Sequence, residues 1–367
     1  MKAMVLREPA PVETEPLVLE DVPVPEAGPG EVRIKVRYCG VCRTDLHIVE
    51  GELVCPRLPI VPGHQVVGVV DSIGPENPPS RVDAGTGGPS LGADPGEVLA
   101  EEGLKGPGSG QKSDGLSLGD RVGMAWLYGT CGECEHCASG NENLCDHPRF
   151  TGFSVNGGYE EYMVAPASFL VKIPDSFADL EAAPLLCAGI IGYRSIKVAG
   201  LKPGETLGLF GFGASAHLAI QVARHWGCQV LVFTRSKEHQ KHALELGASW
   251  AGTAGDVPPD SCHRIITFAP AGYLIPYALK ALKKGGTLAI NAVHMDKIPE
   301  LDYGLVYWEK KIVTVANATR RDADEFMRLA AEIPLKVSTE VFSLEKANEA
   351  LLKLKKGQIR GEAVLKI

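Results

Sequence analysis

The first part of the chain alternates apolar and polar positions over short distances. Between Glu31 and Val36 it reads Val-Arg-Ile-Lys-Val, and β-favouring runs follow at 66–73 and 121–125. A period of two places every second side chain on one face, which is typical of a half-buried strand. Because glycine and proline separate these runs, we predict an antiparallel, barrel-like sheet for the N-terminal region.

After Pro166 the apolar positions follow the spacing of alternating strands and helices. We predict helices over 180–199, 216–226, 237–246 and 274–282, and strands over 206–210, 229–233, 264–267 and 287–291. This order is typical of an α/β protein with a doubly wound parallel sheet. A last strand over 362–366 is expected to return to the first sheet. The length also favours two domains, and we place them at 1–165 with 303–367 and at 166–302.

The stretch 75–118 lies between two predicted strands and is rich in Gly, Pro, Ser and Asp. Apart from a candidate helical turn at 97–104, it shows little hydrophobic periodicity. Loops of this length are usually mobile or functional. We interpret the stretch as a surface insertion in the first domain, and we favour the interpretation that it has no catalytic role.

The amino-acid composition indicates which partners, location and cysteine chemistry to expect for this protein. The 367 residues carry a formal net charge of −8 without a basic cluster, which argues against nucleic acid or an anionic membrane surface as partner. No apolar run approaches the roughly 20 residues of a membrane span, and Met1–Val5 lacks the features of a secretory signal. We therefore expect a cytoplasmic protein. The uneven placement of its ten cysteines indicates metal binding instead of disulfides.

Four cysteines lie close together in one loop. Cys131, Cys134, Cys137 and Cys145 follow one another at intervals of three, three and eight residues. Such tight recurrence is typical of a tetrahedral structural zinc site, which leaves no coordination position open. An iron–sulfur cluster and plain buried cysteines are the alternatives. We predict a structural zinc lobe over 131–145, in which the fourth cysteine makes His136 redundant as a ligand.

A second metal site is indicated by Cys42, His64 and Cys187. A single cysteine or histidine is more often a packed core residue than a ligand. Here, however, His64 precedes a strand within Pro-Gly-His-Gln, and Cys187 lies in Leu-Leu-Cys-Ala-Gly at the start of the second domain. Two thiolates and one imidazole form a zinc site with a vacant fourth position, the arrangement that supports Lewis-acid catalysis.

A glycine turn follows the first strand of the predicted parallel sheet. Gly211, Gly213 and Ala216 stand at the positions of the dinucleotide fingerprint, between a strand and a helix. The first glycine makes the turn, and the second lets the backbone approach a pyrophosphate. Alanine at the third position is tolerated with slightly looser helix–strand packing. The sequence therefore predicts a nicotinamide dinucleotide as cofactor.

The end of the second strand of this sheet bears on which dinucleotide is bound. An acidic residue at this point binds the ribose hydroxyls of NAD, but the chain has Thr234 there, followed by Arg235. The arginine could face a 2′-phosphate, or it could be a solvated surface charge. We slightly favour NADP(H) and keep NAD(H) as the alternative.

Taken together and in this order, these motifs resemble those of the medium-chain zinc-dependent alcohol dehydrogenases over nearly the whole chain. The residues that carry the resemblance are Cys42-Arg43-Thr44-Asp45-Leu46-His47, Gly63-His64, Gly119-Asp120-Arg121-Val122-Gly123, the four-cysteine loop, Gly157-Gly158-Tyr159-Glu160-Glu161-Tyr162, Leu185-Leu186-Cys187-Ala188-Gly189 and the turn at Gly211. The resemblance implies a GroES-like catalytic domain, formed by residues 1–165 and 303–367, and a Rossmann domain at 166–302, with the active site between them.

The resemblance also implies roles for individual residues. Thr44 would accept a proton from the alcohol, the cofactor ribose would pass it on, and His47 would release it near the surface. Thr44 and His47 could instead only terminate a helix, since threonine is a good cap. Arg43 and Arg320 would lie near the pyrophosphate. Asp45 would hold the second nitrogen of His64, as metal-bound histidines usually require.

One position departs from the family pattern. The family usually has Glu after the catalytic histidine, and this chain has Gln65. A neutral amide supplies no negative charge, so we expect zinc to bind with altered electrostatics.

The expected reaction is the reversible oxidation of a small primary alcohol, or a secondary one, to the aldehyde or ketone. Leu53, Trp126 and Ile298 are candidates for an apolar substrate pocket. Three alternative functions agree less well with the sequence. A polyol-type dehydrogenase commonly has Glu where this chain has Cys187, and non-catalytic members of the same fold lose the zinc ligands that this chain keeps. Zinc-free quinone reductases lack the four-cysteine loop. We expect a homodimer or a homotetramer.

Overall fold

The computed structural model describes residues 1–75, 115–256 and 258–367. Most of the expected surface insertion at 75–118, with its candidate helical turn at 97–104, lies outside the described residues. The described part contains two large sheets, one mainly antiparallel and one parallel.

The strands of both sheets and of two small pairs follow in chain order. They are β1 (Lys2–Leu6), β2 (Leu17–Asp21), β3 (Glu31–Val41), β4 (Val66–Ile73), β5 (Arg121–Met124), β6 (Leu127–Gly129), β7 (Arg149–Phe150), β8 (Tyr162–Pro166), β9 (Leu170–Lys172), β10 (Thr206–Phe210), β11 (Gln229–Phe233), β12 (Trp250–Gly252), β13 (Cys262–Thr267), β14 (Leu282–Ile290), β15 (Lys311–Thr314), β16 (Thr339–Ser343) and β17 (Glu362–Lys366).

The helices are distributed over both halves of the chain. They are α1 (Arg43–Val49), α2 (Glu135–Ala138), α3 (Asp179–Pro184), α4 (Ile190–Ala199), α5 (Ala214–His225), α6 (Lys237–Glu245), α7 (Ile275–Ala281), α8 (Arg320–Glu332) and α9 (Ala347–Lys355). Short 3₁₀ turns occur at Val12–Thr14, Glu142–Leu144, Ala167–Phe169, Ala254–Asp256, Gly272–Leu274, Tyr303–Leu305 and Leu344–Lys346.

The first large sheet has seven strands in the order β16-β17-β3-β4-β5-β9, and β8 also pairs with β3. Only β16 and β17 are parallel within this sheet. Over the first six residues of β3 every second side chain is buried, as the alternation in the sequence predicts. The predicted return of residues 362–366 is confirmed, because β17 pairs with β3 and places Ala363 opposite Val41.

The second large sheet has six parallel strands in the order β12-β11-β10-β13-β14-β15. Renumbered within the sheet, this is the order 3-2-1-4-5-6 of a Rossmann fold. Apolar clusters cover both faces, one built around α4 and α5 and the other around α7. The prediction of a doubly wound parallel sheet is confirmed.

Two strands extend the sheets beyond the ranges expected for their domains. β9 pairs with β5, so the first sheet extends past residue 165. β15 pairs in parallel with β14, with Lys311 opposite Thr287, so the parallel sheet continues past residue 302. The four residues of β15 are mostly exposed. A short edge strand has little apolar pattern of its own and takes its structure from its neighbour, which is why the sequence did not show it.

The helix predicted over 180–199 is present, and it contains one π-helical turn. α3 ends at Pro184, and a π-helical turn over Leu185–Gly189 connects it to α4. Proline lacks the backbone N–H that a continuous helix needs, and π turns are frequent at functional sites. By length and composition, Asp179–Ala199 could cross a membrane, but 67% of its most apolar window is buried within the fold. A helix buried to this extent is typical of a protein core.

Candidate active site and metal centres

A cavity of about 1340 Å³ lies between the two sheets. Side chains from the first sheet and from α1 line one wall, and the loops that follow the parallel strands line the other. Among the lining residues are Cys42, Arg43, Thr44, His47, His64, Trp126, Cys187, Gly211, Gly213, Ser236, Lys241, Arg320 and Glu362. The cavity therefore contains both the predicted open metal site and the predicted cofactor turn.

The three predicted ligands of the open metal site meet in this cavity. Cys42 follows β3 and caps α1, His64 precedes β4, and Cys187 lies in the π-helical turn. Their ligand atoms all lie within 4.8 Å of one another, and Cys42 Sγ is 3.3 Å from His64 Nε2. Residues separated by more than a hundred positions thus form one compact donor set for a metal ion.

Asp45 orients the histidine of this site. Its Oδ1 is 3.0 Å from His64 Nδ1 and accepts the Gly63 N–H at 3.2 Å, while Oδ2 accepts the Cys42 N–H at 2.9 Å. Because the carboxylate fixes Nδ1 as the protonated nitrogen, Nε2 is left free to bind a metal. Asp45 and His64 are both almost fully buried.

The electrostatics of the site favour a bound cation. A hydrogen bond from the Cys187 thiol lowers the pKa of the Cys42 thiol well below its ordinary value; burial opposes this, and His64 adds to it. Burial disfavours the charged imidazole, yet Asp45 and Cys42 raise the pKa of His64 well above its ordinary value. Burial, followed by the nearby Cys42 charge, raises the pKa of Glu362 well above its ordinary value. Zn²⁺ would displace the protons on the thiols and on His64 Nε2, as metal binding generally does.

The four-cysteine loop also forms a single cluster. The ligand atoms of Cys131, Cys134, Cys137 and Cys145 lie within 4.8 Å of one another, and Cys131 Sγ is 3.5 Å from Cys145 Sγ and 3.9 Å from Cys137 Sγ. Backbone N–H groups point at the sulfurs, and a hydrogen bond from Asp146 helps to lower the pKa of Cys134 to about 6. Four convergent sulfurs that accept backbone hydrogen bonds suit a closed tetrahedral zinc site.

The predicted relay residues lie on α1 at the wall of the cavity. The Thr44 N–H donates to Cys42 Sγ at 3.3 Å, and the Nδ1 of His47 contacts the carboxylate of Glu52. Arg43 is exposed and lines the same wall. α1 therefore presents these side chains beside the metal site, and their roles in proton transfer and cofactor binding stay predictions.

The glycine turn has the geometry of a pyrophosphate cradle. Gly211 has φ +86°, and a Cβ there would lie 3.0 Å from the backbone nitrogen of Ala269, so only glycine fits without strain. Gly213 caps α5, and a Cβ on it would project into open space that a phosphate could occupy. Ala216 is fully buried inside α5. The space beside the turn therefore fits a dinucleotide.

The remaining predicted cofactor residues are placed differently. Thr234 follows β11, where its N–H donates to Gly252 and its carbonyl accepts from Gln240. Arg235 is exposed and is not among the lining residues of the cavity, whereas Ser236 and Lys241 are. These two residues were not among the cofactor residues predicted from the sequence. Ser236 caps α6 and Lys241 lies one turn into it, so the predicted helix that follows Thr234 is the signal that could have revealed them.

Arg320 lines the cavity but is already bound. Its guanidinium contacts Glu142 at 2.6 Å, accompanied by a hydrogen bond to the Ser168 carbonyl, and it stacks 4.4 Å from the Phe169 ring centroid. Because Glu142 belongs to the four-cysteine lobe, this contact ties the lobe to the start of α8. An arginine held in this way has few donors left for a pyrophosphate.

One of the three expected pocket residues lines the cavity. Trp126 packs its ring edge-on against His64, with ring centroids 5.0 Å apart, and stacks on Phe150. Leu53 and Ile298 are not among the lining residues: Leu53 packs beside the barrel core, and Ile298 is 45% exposed. The expected apolar wall therefore exists, but Trp126 is the one predicted residue that forms it.

Two family models match this chain. The alcohol dehydrogenase GroES-like domain matches residues 28–87 and 106–175, and the zinc-binding dehydrogenase domain matches residues 216–332. Over its whole length the chain is 43% identical to "Probable alcohol dehydrogenase AdhA" of Mycobacterium tuberculosis (strain CDC 1551 / Oshkosh), covering 97% of that protein. The chain belongs to the medium-chain zinc-dependent alcohol dehydrogenases. The resemblance seen in the sequence is thereby confirmed.

Further comparisons agree with this membership. This alcohol dehydrogenase is 34% identical to an alcohol dehydrogenase of Geobacillus stearothermophilus, with 96% of the chain and 97% of the relative covered. A solved cinnamyl alcohol dehydrogenase of Sorghum bicolor superimposes with a TM-score of 0.82 at 26% identity, covering 100% of this chain and 97% of that one. The GroES-like plus Rossmann architecture is therefore established, and the enzyme is an oxidoreductase.

Proposed function

We propose that this alcohol dehydrogenase oxidises primary alcohols reversibly to aldehydes, using a zinc ion held by Cys42, His64 and Cys187. The observation that carries the proposal is that this open donor set and the Gly211 turn share one cavity. A three-ligand site beside a dinucleotide cradle is the arrangement that hydride transfer between an alcohol and a nicotinamide requires. The four-cysteine lobe would hold a second, structural zinc.

When bound, the catalytic zinc would supply Lewis-acid activation that lowers the pKa of an alcohol hydroxyl. The protein contributes the orientation of the ligands and the path of the proton. Asp45 holds His64 in the metal-binding tautomer. Thr44 and His47 both line the cavity. The Thr44 hydroxyl would accept the substrate proton as it passes its own proton on, and the His47 imidazole, next to the Glu52 carboxylate, would deliver a proton to solvent.

The wall next to His64 supports an apolar substrate. Trp126 covers the imidazole edge and is held in place by its Nε1–H, which donates to Asn317 at 3.1 Å. An indole ring at this position excludes water and contacts hydrocarbon groups. We therefore infer that aliphatic and aromatic primary alcohols are the substrate class.

We infer further that NADP(H) is preferred over NAD(H). Thr234 stands where NAD-binding enzymes have a carboxylate, and the cationic Lys241 lines the cavity one helical turn into α6. An ammonium group at this wall can form a charge-assisted hydrogen bond with a 2′-phosphate. Arg235 would contribute only from the rim, since it lies outside the lining of the cavity, whereas Lys241, although also exposed and 4.0 Å from Glu245, lines it.

The test combines metal content with a substrate panel. Purified wild-type protein is expected to hold two zinc ions per chain and to oxidise primary alcohols with NADP⁺ or NAD⁺. Cys42→Ala should retain the structural zinc and its fold but lose activity, because one of the three ligands of the open site is gone. Full activity in zinc-depleted Cys42→Ala would refute the proposed function.

A further inference from the structure

A buried carboxylate lines the cavity of the open metal site without a hydrogen-bond partner of normal geometry among the described residues. Glu362 lines the same cavity as Cys42 and His64 and is 2% exposed. Neither of its carboxylate oxygens has a hydrogen-bond partner, and it takes part in no ion pair of the described residues. Arg360, two residues before Glu362 in the chain, pairs with Glu245. A charged group buried without a partner is costly unless a ligand compensates it.

Strand register places Glu362 next to the metal ligands. β17 runs antiparallel to β3, with Val364 opposite Gly40 and Ala363 opposite Val41. Continuing this register by one position would bring Glu362 level with Cys42, which directly follows β3. Residues directly opposite in an antiparallel pair project from the same face of the sheet. The carboxylate therefore lies on the face that carries the Cys42 thiol.

Gln65 lies on the same face. Its backbone carbonyl accepts the Gly40 N–H at 3.0 Å, and a Cβ on Gly40 would come within 2.8 Å of the Gln65 side chain. The absence of a side chain at Gly40 thus leaves room for the amide, which is fully buried and has no hydrogen-bond partner of normal geometry among the described residues. The amide lies close enough to Glu362 to favour the charged carboxylate.

The family usually has a carboxylate directly after the metal-binding histidine, and this chain has the neutral Gln65 there. We propose that Glu362 supplies the missing carboxylate from the opposite strand, as the anionic counter-charge and reserve ligand of the catalytic metal, and that Gln65 positions it. The proposal rests on the proposed zinc site. With two thiolates and a neutral imidazole the site balances Zn²⁺ in charge, and Glu362 adds one negative charge that tightens metal retention when the fourth position is vacant.

The first experiment measures zinc affinity by competition with a chromophoric chelator. Glu362→Gln keeps the shape of the side chain and removes the charge, so affinity at the catalytic site should fall about tenfold to hundredfold while the structural site is unchanged. Thermal stability of the metal-free protein should stay constant or rise, because an uncompensated buried carboxylate has been removed. A merely structural role would instead lower stability and leave zinc affinity unchanged.

A matched control uses another buried carboxylate. Glu160 is also 2% exposed, and burial raises its pKa to about 8, but it lies in the wall of a different cavity. Glu160→Gln should leave zinc affinity at the wild-type value. An equal loss in both variants would overturn the proposal, because the effect would then be unspecific.

A charge-relocation variant provides an independent readout. In Gln65→Glu combined with Glu362→Gln, the carboxylate moves to the position that the family uses. Zinc affinity should then recover to within a fewfold of wild type, reversing most of the loss of about tenfold to hundredfold. With Co²⁺ in the catalytic site, Glu362→Gln should shift the visible ligand-field bands, and the relocated carboxylate should restore them. Unchanged zinc affinity and unchanged Co²⁺ bands in Glu362→Gln would overturn the proposal.

The two proposals fail in different ways. If Cys42→Ala keeps the wild-type zinc content, the catalytic zinc site itself is refuted. If Cys42→Ala loses one zinc ion while Glu362→Gln binds zinc like wild type, only the role of Glu362 is refuted.

Discussion

Replacement of Asp45 by Asn tests how the protein prepares the catalytic metal site. In the wild type the two carboxylate oxygens of Asp45 contact three N–H groups, those of His64 Nδ1, the Gly63 backbone and the Cys42 backbone. Asparagine has one oxygen in place of two. If that oxygen keeps the contacts with His64 and Gly63, the new NH₂ group faces the Cys42 N–H, and two donors then oppose each other.

The size of the effect follows from these contacts. The lost hydrogen bond between Cys42 and a charged acceptor is worth about 1.5–3 kcal/mol of stability. His64 also loses its anionic partner, and removal of such a partner costs about tenfold to hundredfold in metal affinity. Since each tenfold change is about 1.4 kcal/mol, the zinc effect and the stability effect are of similar size. We expect Asp45→Asn to fold, to bind catalytic zinc weakly and to keep the four-cysteine zinc.

The assay is chelator competition on purified protein, with the four-cysteine site as an internal reference. Asp302→Asn is the matched control, because Asp302 also accepts a backbone N–H, that of Gly304 at 2.8 Å, but at an exposed turn that lies outside the lining of the active-site cavity. It should leave both zinc affinities unchanged. Wild-type affinity at both sites in Asp45→Asn would refute the view that the Asp45 charge orients His64 for the metal.

Three further predictions concern the other sites. Cys134→Ser should release the structural zinc and lower the melting temperature sharply, because metal binding at such a site contributes directly to folding; unchanged zinc content and melting temperature would contradict the assignment. Lys241→Ala should raise the KM for NADP(H) about tenfold to hundredfold, as expected for one lost charge-assisted hydrogen bond, and should change the KM for NAD(H) little. Arg235→Ala should raise the KM for NADP(H) by a smaller factor. If Lys241→Ala changes the KM of both cofactors equally, a contact with the 2′-phosphate is excluded. Burial opposes charging of Asp322, but Lys197 and the cap of α8 lower its pKa to about 2, below the ordinary value of about 3.9. The charged carboxylate therefore stabilises the folded protein fully above about pH 4, and this contribution is lost as the pH falls toward 2. Asp322→Asn should therefore flatten acid unfolding in this range, and an unchanged acid profile would refute this contribution.

Much of the architecture and of the chemistry is local in the sequence. The ligands of the four-cysteine lobe lie within fifteen positions, and the turn from Gly211 to Ala216 spans six. Over such distances, spacing and conformational preference determine geometry almost by themselves, because the intervening chain has few ways to bring the groups together. The two-residue and helical periodicities likewise predicted the sheet types and most of the elements.

The tertiary structure decided what depends on pairing between distant segments. The sequence alone does not connect Glu362 with Cys42, because the strand register that brings them to the same face of the sheet joins positions more than three hundred residues apart. The same holds for Arg320, which binds Glu142 of the four-cysteine lobe, and for β15, which takes its strand structure from β14. Residue type and spacing specify what a side chain can do, whereas long-range packing specifies which partner it meets. The family pattern indicates a carboxylate at the position of Gln65, whereas the fold places a buried carboxylate, that of Glu362, on another strand in the cavity that contains the metal site.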